Sequence, residues 1–195
     1  MAYATKDDLR AFLKLQVGET ADDTLLQNAV TDAQNFIEGA ECCNRLFEAS
    51  TDTTRYFDAL QNVDDLTLVF DIYCCGITTV VNGDGSTLPS SVYITLPPNI
   101  TPYYGIKLLA SGGYVWQYLS DPENAIAVTG KWAYSLAAPA KIKRATLVLA
   151  KYLYRQLNAD SDADRPLMTG DGVVIMPSNL PKLFWDLVGG YRRRE

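Results

Sequence analysis

The clearest structural signal in this chain is the stretch DDTLLQNAVTDAQNFIEGAECCN, residues 22–44. Its apolar side chains recur at helical spacing and fall within an arc of about 140°. Asp22 or Asp23 can cap the N-terminal end, because a short polar side chain accepts hydrogen bonds from unpaired backbone N–H groups. The stretch therefore predicts an amphipathic helix that packs one face against a core. That face consists of Leu25, Leu26, Ala29, Val30, Ala33, Phe36, Ile37 and Ala40.

A shorter helix is predicted upstream of this stretch. Thr5 and Asp8 have the spacing of a capping box, in which each side chain bonds the backbone of the other residue. Leu9 and Phe12 then begin an apolar stripe. We expect residues 1–52 to contribute the N-terminal helices of a helical body.

The periodicity changes downstream, where short β-rich runs alternate with turn sequences. Asn82-Gly83-Asp84-Gly85 and Ser111-Gly112-Gly113 are strong turn signals. We predict an antiparallel β subdomain over residues 53–135, inserted between helices and projecting from the helical body. The predicted strands are Thr54–Phe57, Leu66–Phe70, Ile77–Val81, Val92–Leu96, Ile106–Leu109 and Ile126–Tyr134.

A third helix is predicted from about Pro139, a residue suited to the first helical turn, to about Leu157. It is apolar on most of its circumference, so more than one neighbour should cover it. We expect one side to be a subunit interface. Another face carries a basic stripe, which either contacts phosphate or an acidic partner or is simply solvated. The interface side is Leu147, Ala150, Tyr154 and Leu157, and the basic stripe is Lys141, Arg144, Lys151 and Arg155.

The C-terminal part of the chain divides into two predicted regions. Residues 136–180 hold the third helix and a long loop, in which Asp160-Ser161-Asp162-Ala163-Asp164 resembles the start of a calcium-binding loop. Arg165 stands where that loop needs a glycine, so calcium binding is disfavoured. In residues 181–195 a last helix ends at Gly189-Gly190, and we expect a flexible basic tail beyond it.

These patterns together predict an α+β fold. It is a helical bundle of about four helices with an inserted antiparallel β subdomain, a C-terminal helix and an extended tail. The N-terminal helices occupy 1–52, the β subdomain 53–135, the third helix and its loop 136–180, and the last helix with its tail 181–195.

The composition excludes several classes of protein. Of the 195 residues, 48% are apolar and 21% charged, which is ordinary for a globular domain. No segment approaches the roughly 18 apolar residues that span a bilayer, and the first residues lack the pattern of a secretory signal. We therefore expect no membrane contact. The chain has no histidine, so histidine-based catalysis and histidine metal ligands are excluded.

The four cysteines form two vicinal pairs, Cys42-Cys43 and Cys74-Cys75. Adjacent cysteines do not easily form a disulfide with each other in unstrained geometry. Zinc sites usually space their ligands by two to four residues. We therefore predict buried, reduced thiols that fill core space, with a four-thiolate metal site as the disfavoured alternative.

No catalytic motif is present. Serine and cysteine nucleophiles have no histidine base, and no glycine-rich phosphate loop occurs. Asp64 and Asp65 are adjacent, but neighbouring side chains in a strand point apart. We expect no enzyme activity, no cofactor and no metal; a hydrolase with spatially paired carboxylates is the alternative.

The charge is unevenly distributed along the chain. The formal net charge is -6, of which residues 1–138 contribute -10 and residues 139–195 contribute +4. Such asymmetry favours an interaction surface, although a solvated surface is an equally simple explanation.

Nine segments occur in an order that resembles one known family. They are Asp7–Leu13, Asp22–Leu26, Ala33–Glu38, Cys43–Phe47, Thr54–Phe57, Ile126–Tyr134, Pro139–Ala145, Leu149–Arg155 and Tyr191–Arg194. In this order and spacing, across nearly the whole chain, they resemble the head–tail connector proteins of tailed bacteriophages, also called adaptor or head-completion proteins. The cysteine pairs and the length of the β region depart from the compact members of that family.

The resemblance implies a structural protein of the virion neck that is made in the host cytoplasm. Family members form homo-oligomeric rings, commonly of twelve subunits, that join the portal protein to a stopper or tail-completion protein. Double-stranded DNA passes through the lumen without sequence-specific binding. The C-terminal segment typically reaches the portal, which implies a portal-binding arm made of Trp185, Tyr191, Arg192, Arg193 and Arg194.

One alternative of a different class is a DNA-binding regulatory protein that uses the basic face of the third helix. The chain lacks helix-turn-helix spacing, and its net negative charge disfavours this interpretation.

Overall fold

The computed structural model describes residues 2–16, 20–158, 167–168, 174–175 and 180–192. It confirms an α+β composition, with helices and antiparallel sheets. The chain divides into two compact units. Arg45–Ala138 form the β unit, and Ala2–Asn44 with Pro139–Glu195 form the helical unit.

The helical unit contains four α-helices within its described residues. They are α1 (Lys6–Leu13), α2 (Asp23–Glu38), α3 (Ala140–Asn158) and α4 (Lys182–Val188). The capping box predicted for α1 is confirmed: the Asp8 N–H donates to Thr5 Oγ1 at 3.1 Å and the Thr5 N–H donates to Asp8 Oδ2 at 2.8 Å. The Thr5 N–H, and the Thr5 hydroxyl, which also donates to Asp8 Oδ2 at 2.8 Å, hold the pKa of Asp8 below its usual value.

The apolar face predicted for α2 is buried or half-buried except for Ala40, which is exposed beyond the helix, and the predicted C-terminal end at Asn44 is wrong. The helix ends at Glu38, because Gly39 turns the backbone into an extended conformation with ψ 164°. Glycine is a poor helix former, whereas the Ala40 and Glu41 that follow it are good ones, and they extended the predicted helix too far. A tight turn replaces the last turns, with the Asn44 N–H bonded to the Gly39 carbonyl at 2.9 Å.

Helix α3 lies at the centre of the helical unit and packs against α1, α2 and α4. Its bounds agree with the prediction within one residue at each end. Three helical neighbours cover it, which explains why its sequence is apolar on most sides. The described helices include none that is both long and apolar enough to cross a bilayer.

The β unit contains two four-stranded antiparallel sheets. The strands are β1 (Thr53–Phe57), β2 (Val63–Asp64), β3 (Thr67–Cys74), β4 (Gly76–Val81), β5 (Thr87–Leu88), β6 (Tyr93–Leu96), β7 (Tyr103–Leu108) and β8 (Ile126–Lys131). The first sheet has the order β1-β8-β4-β5 and the second has the order β2-β3-β7-β6. In the helical unit, a short antiparallel pair joins β9 (Leu167–Met168) to β10 (Val174–Ile175).

Both sheets contribute side chains to one core in the β unit. At its centre the ring centroids of Phe57 and Phe70 lie 5.3 Å apart, and Trp132 lies 5.6 Å and 5.1 Å from them. The indole N–H of Trp132 donates to the Thr53 carbonyl at 2.8 Å, so this large ring is buried without an unpaired donor.

Several strand ends differ from the prediction. β3 continues to Cys74 rather than ending at Phe70, because Asp71 points outward on an alternating strand instead of terminating it. β8 ends at Lys131 rather than Tyr134, since Trp132 turns into the core. The two-residue strands β2 and β5 were not predicted, because they are too short for periodicity to indicate them.

Candidate assembly surfaces

The C-terminal helix α4 is anchored to α2 by an aromatic cluster. The ring of Phe36 lies 5.9 Å from Phe184 and 6.4 Å from Trp185. Phe184 is fully buried, whereas Trp185 is half-buried. Trp185, a predicted member of the portal-binding arm, therefore also stabilises the packing of α4 within the helical unit.

The chain beyond α4 stays folded as far as it is described. Gly189-Gly190 end the α-helix as predicted, but they continue into a 3-10 turn with Tyr191. The Arg192 guanidinium lies over the Trp185 ring, 5.5 Å from its centroid, and Arg192 Nε donates to the Cys42 carbonyl at 3.2 Å. The segment through Arg192 is therefore docked on the helical unit in this structure, and the expected flexibility of the arm stays a prediction. Arg193 and Arg194 lie outside the described residues.

The α3 side predicted to be a subunit interface is largely covered by its own unit. Ala150 and Tyr154 are buried, and Leu147 is half-buried. The Tyr154 hydroxyl donates to Asp22 Oδ2 at 2.5 Å. The side chain of Leu157 lies outside the described residues. This side offers little area to a neighbouring subunit, and the interface role stays a prediction.

The basic stripe of α3 is accessible along most of its length. Lys141, Arg144 and Arg155 are exposed. Lys151 is half-buried, with its ammonium 5.5 Å from the centroid of the Phe12 ring. A cation over an aromatic face is stabilised there, so Lys151 is the stripe's least available member.

The four cysteines are buried and none forms a disulfide. Burial raises the pKa of Cys74 to about 11 and also raises the pKa of Cys75. The pKa of Cys42 is raised first by its hydrogen bond with Cys43, whose sulfur lies 3.7 Å away, and then by burial. Cys42, Cys74 and Cys75 are therefore protonated at neutral pH, and a protonated thiol is neither a good nucleophile nor a metal ligand.

The other chemical candidates have little support in the geometry. Asp64 and Asp65 are both exposed and lack an apolar enclosure. Within the described parts of the chain, no group of three or more cysteine or carboxylate side chains could hold a metal ion. The calcium-like sequence at 160–164 lies outside those parts.

An exposed apolar loop in the β unit was not predicted from the sequence. Residues 113–119 run over its surface, where Val115 and Leu119 are 56% and 81% exposed. Trp116 points the other way, into the core, and donates its indole N–H to the Leu66 carbonyl at 2.9 Å. Apolar side chains on a well-anchored loop are a feature of protein–protein contact sites.

The side chain of Asn82 holds this loop in place. Its Nδ2 donates to the Val115 carbonyl at 2.9 Å, and its Oδ1 accepts from the Gln117 N–H at 3.2 Å and the Gly83 N–H at 3.0 Å. Asn82 is only 2% exposed, so these bonds satisfy an amide that water cannot reach. The sequence indicated a turn at 82–85 but not its long-range partner.

Comparison with known proteins gives matches among solved structures alone. No family model matches the chain, and no curated protein is similar to it in sequence. A chain in the neck of an empty gene transfer agent particle, computed with C6 symmetry, matches with a TM-score of 0.57 and 16% identity. That match covers 99% of this chain and 91% of the other. The fold is similar to that of a virion-neck chain.

A second solved structure gives the same result. A chain of the virion of the native gene transfer agent particle matches with a TM-score of 0.54 and 17% identity, again over 99% of this chain and 91% of the other. At this identity the likeness is one of fold. It agrees with the resemblance to phage head–tail connectors that the sequence motifs indicate.

Proposed function

We propose that this protein is a structural component of the neck of a phage-like virion. The observation that carries the proposal is the fold similarity to a chain in a gene transfer agent neck, which extends over 99% of this chain. The connector-like order of sequence motifs supports it independently. In this interpretation the helical unit is the body of the connector, and the β unit is a subdomain inserted into it.

The proposed assembly is a homo-oligomeric ring between the portal and a stopper or tail-completion protein. The C6 symmetry of the matching neck is compatible with twelve copies, the number common in the connector family. DNA would pass through the lumen without being gripped. The net charge of -6 supports that role, because phosphate contacts from cationic side chains are what hold DNA tightly.

We also propose that the C-terminal segment contacts the portal. The arm comprises Trp185, Tyr191, Arg192, Arg193 and Arg194. Since Trp185 and Arg192 are docked on the helical unit, the arm either binds the portal in this docked form or is released from Cys42 and the α4 surface on assembly. Arginine and aromatic side chains are well suited to such an interface.

A non-catalytic role fits the chemistry of the described residues. Cys74 and Cys75 are buried and have raised pKa values, and the adjacent Asp64 and Asp65 are exposed to water. Catalytic carboxylates usually need an environment that separates their pKa values. We therefore propose a structural role in the virion.

The DNA-binding alternative has one observation in its favour. Lys141, Arg144 and Arg155 are exposed on one helix, where they could meet phosphate. DNA binding by the isolated protein that persists at physiological salt and depends on these three side chains would favour this alternative.

The proposal is tested on particles produced by cells that carry the gene. We expect mass spectrometry to find the chain in purified particles and cryo-electron microscopy to place it in the neck. Deleting the gene should give DNA-filled heads without attached tails, and a plasmid copy should restore them. Particles with normal necks that lack the chain would contradict the proposal.

A further inference from the structure

One end of the β unit gathers three segments that are far apart in sequence. In the first sheet, β1 and β4 end and β8 begins at the same edge, since Phe57 pairs with Ile126 and Val81 pairs with Ala127. This brings residues 58–66, 82–86 and 113–125 together, and we name them the acidic tip. Backbone bonds join the segments, among them the Ala59 N–H to the Pro122 carbonyl at 2.8 Å.

The acidic tip displays large apolar side chains that the β unit does not cover. Leu119 is 81% exposed and Leu60 is 62% exposed. Tyr114, Val115 and Tyr118 add further exposed apolar area. Isolated exposed apolar residues are ordinary on a protein surface, but a group of five at one end indicates a contact site.

The turns that carry these side chains are held by several hydrogen bonds. The carboxylate of Asp58 accepts from the Leu60 N–H at 2.6 Å and from the Gln61 N–H at 2.9 Å. Asn82 fixes the loop that leads to Leu119. A contact site that is ordered before binding loses less conformational entropy when the partner arrives.

The charge around the apolar side chains is of one sign. The acidic tip contains six of the nine acidic residues of the β unit and no lysine or arginine. A surface of this kind repels nucleic acid and favours a partner with cationic side chains around an apolar area. The six are Asp58, Asp64, Asp65, Asp84, Asp121 and Glu123.

We propose that the acidic tip binds a second copy of this chain, at the basic stripe of its α3. The inference rests on the proposed function, since it assigns surfaces to the subunit contact of the ring. It moves that contact away from the α3 side of Ala150 and Tyr154, which the chain's own unit covers.

Charge complementarity is the reason for choosing a second copy. The stripe presents Lys141, Arg144 and Arg155 to solvent on a single helix. Because the tip and the stripe are different surfaces, each copy has one of each, and every contact leaves a free tip and a free stripe. Such head-to-tail contacts close into a ring when the rotation between copies allows it.

The first experiment measures self-association of the full chain by sedimentation. We compare the double variant Leu60→Asp/Leu119→Asp with the control Ile100→Asp. Ile100 is 63% exposed, close to the 62% of Leu60. It lies in the connection between β6 and β7, near the end of β3 that is opposite to the acidic tip. We expect the double variant to weaken association by about tenfold or more and the control to leave it unchanged.

The second experiment mixes two variants that each associate weakly when alone. One is Leu60→Asp/Leu119→Asp, which keeps the stripe, and the other is Lys141→Glu/Arg144→Glu/Arg155→Glu, which keeps the tip. A mixture holds one intact contact, so we expect heterodimers and no larger species. All the substituted residues are exposed, and circular dichroism with thermal unfolding checks that each variant is folded.

The outcomes separate this inference from the proposed function. Wild-type association that is unaffected by the tip variant, or a mixture that stays monomeric, overturns the inference even if the chain lies in the virion neck. So does a wild type that stays monomeric at high concentration and roughly 50 mM salt, where charge attraction is weakly screened. Absence of the chain from particles contradicts the proposed function instead.

Discussion

Asn82 satisfies the backbone of a loop more than thirty residues away from it in the sequence. Replacing it with alanine leaves the Val115 carbonyl and the Gln117 N–H without this partner. We expect Asn82→Ala to lower the free energy of unfolding by about 1–3 kcal/mol. Urea unfolding measures the change. Gln61→Ala, at an exposed position in the acidic tip, is the control and should change the free energy by less than about 0.5 kcal/mol.

Gly130 allows β4 and β8 to approach each other closely. A Cβ atom at this position would lie 2.3 Å from the Gly76 carbonyl oxygen, a backbone atom of the paired strand. We expect Gly130→Ala to destabilise the protein by about 1–3 kcal/mol, because the sheet must shift to admit the methyl group. Equal melting temperatures for this variant and the wild type would show that β4 and β8 separate easily.

Gly189→Ala is the matched control for that substitution. An added Cβ at Gly189 meets no atom within 4 Å, and its backbone is already helical, with φ -55° and ψ -36°. Alanine there reduces the entropy of the unfolded chain without strain. We therefore expect an unchanged or slightly raised melting temperature.

The buried thiol of Cys74 should make the free energy of unfolding fall as the pH becomes alkaline. Burial raises its pKa from 9.0 to about 11, so the folded state holds this proton more tightly than the unfolded state. The resulting stabilisation is fully present below pH 9 and is lost as the pH rises through about 11. Urea unfolding at about pH 8 and about pH 10.5 should show a decline that is smaller in Cys74→Ala.

At the scale of elements, the residues after α4 allow the packing of the helix and the proposed binding to the portal to be tested separately. Deleting residues 193–195 leaves the described contacts of Arg192 and Trp185 in place, so we expect an unchanged melting temperature. If the arm binds the portal, the same deletion should weaken that binding at fixed salt concentration. Equal affinity of the truncated and full chains for the portal would contradict the arm assignment.

Arg192→Ala tests the docked form of the same segment. The substitution removes the hydrogen bond to the Cys42 carbonyl and the cation over the Trp185 ring. A net hydrogen bond and an exposed cation–π contact each contribute about 1 kcal/mol. Hydrogen exchange of the α4 amides should therefore become faster, whereas an unchanged exchange rate would mean that buried side chains such as Phe184 and Val188 hold the helix without Arg192.

Elements with strong local signals were predictable from the sequence. The capping box of α1, the apolar face of α2 and the bounds of α3 and α4 follow from spacing and end signals that a helix needs regardless of its neighbours. The early end of α2 was not predicted. Gly39 ends the helix by adopting an extended backbone conformation, which the sequence pattern does not indicate. The acidic tip was not predicted either, because it exists only where sheet pairing joins segments such as Ala59 and Pro122.

At the scale of the whole molecule, the charge is divided differently between the two units than between the two parts of the sequence. Along the sequence, residues 1–138 are acidic and the remainder is basic. The helical unit combines the acidic N-terminal segment with the basic C-terminal one, and its net charge is -1. The β unit, with four basic and nine acidic residues, holds a net charge of -5.

The division into units predicts that the β unit folds without the helices. It has its own core, made of side chains from both of its sheets. We expect residues 45–138, produced alone, to give an antiparallel β spectrum by circular dichroism and a cooperative thermal transition. A spectrum typical of a disordered chain would mean that the β unit does not fold without the helical unit.

Each of the two units contains at least one of the three tryptophans, so each unit has its own tryptophan fluorescence. Trp116 and Trp132 belong to the core region of the β unit, whereas Trp185 lies on α4 beside the Arg192 guanidinium. In a protein with phenylalanine at 116 and 132, the fluorescence would come from Trp185 alone. Its emission should shift to longer wavelength if α4 leaves α2, so the light from one indole would follow the C-terminal segment during assembly in real time.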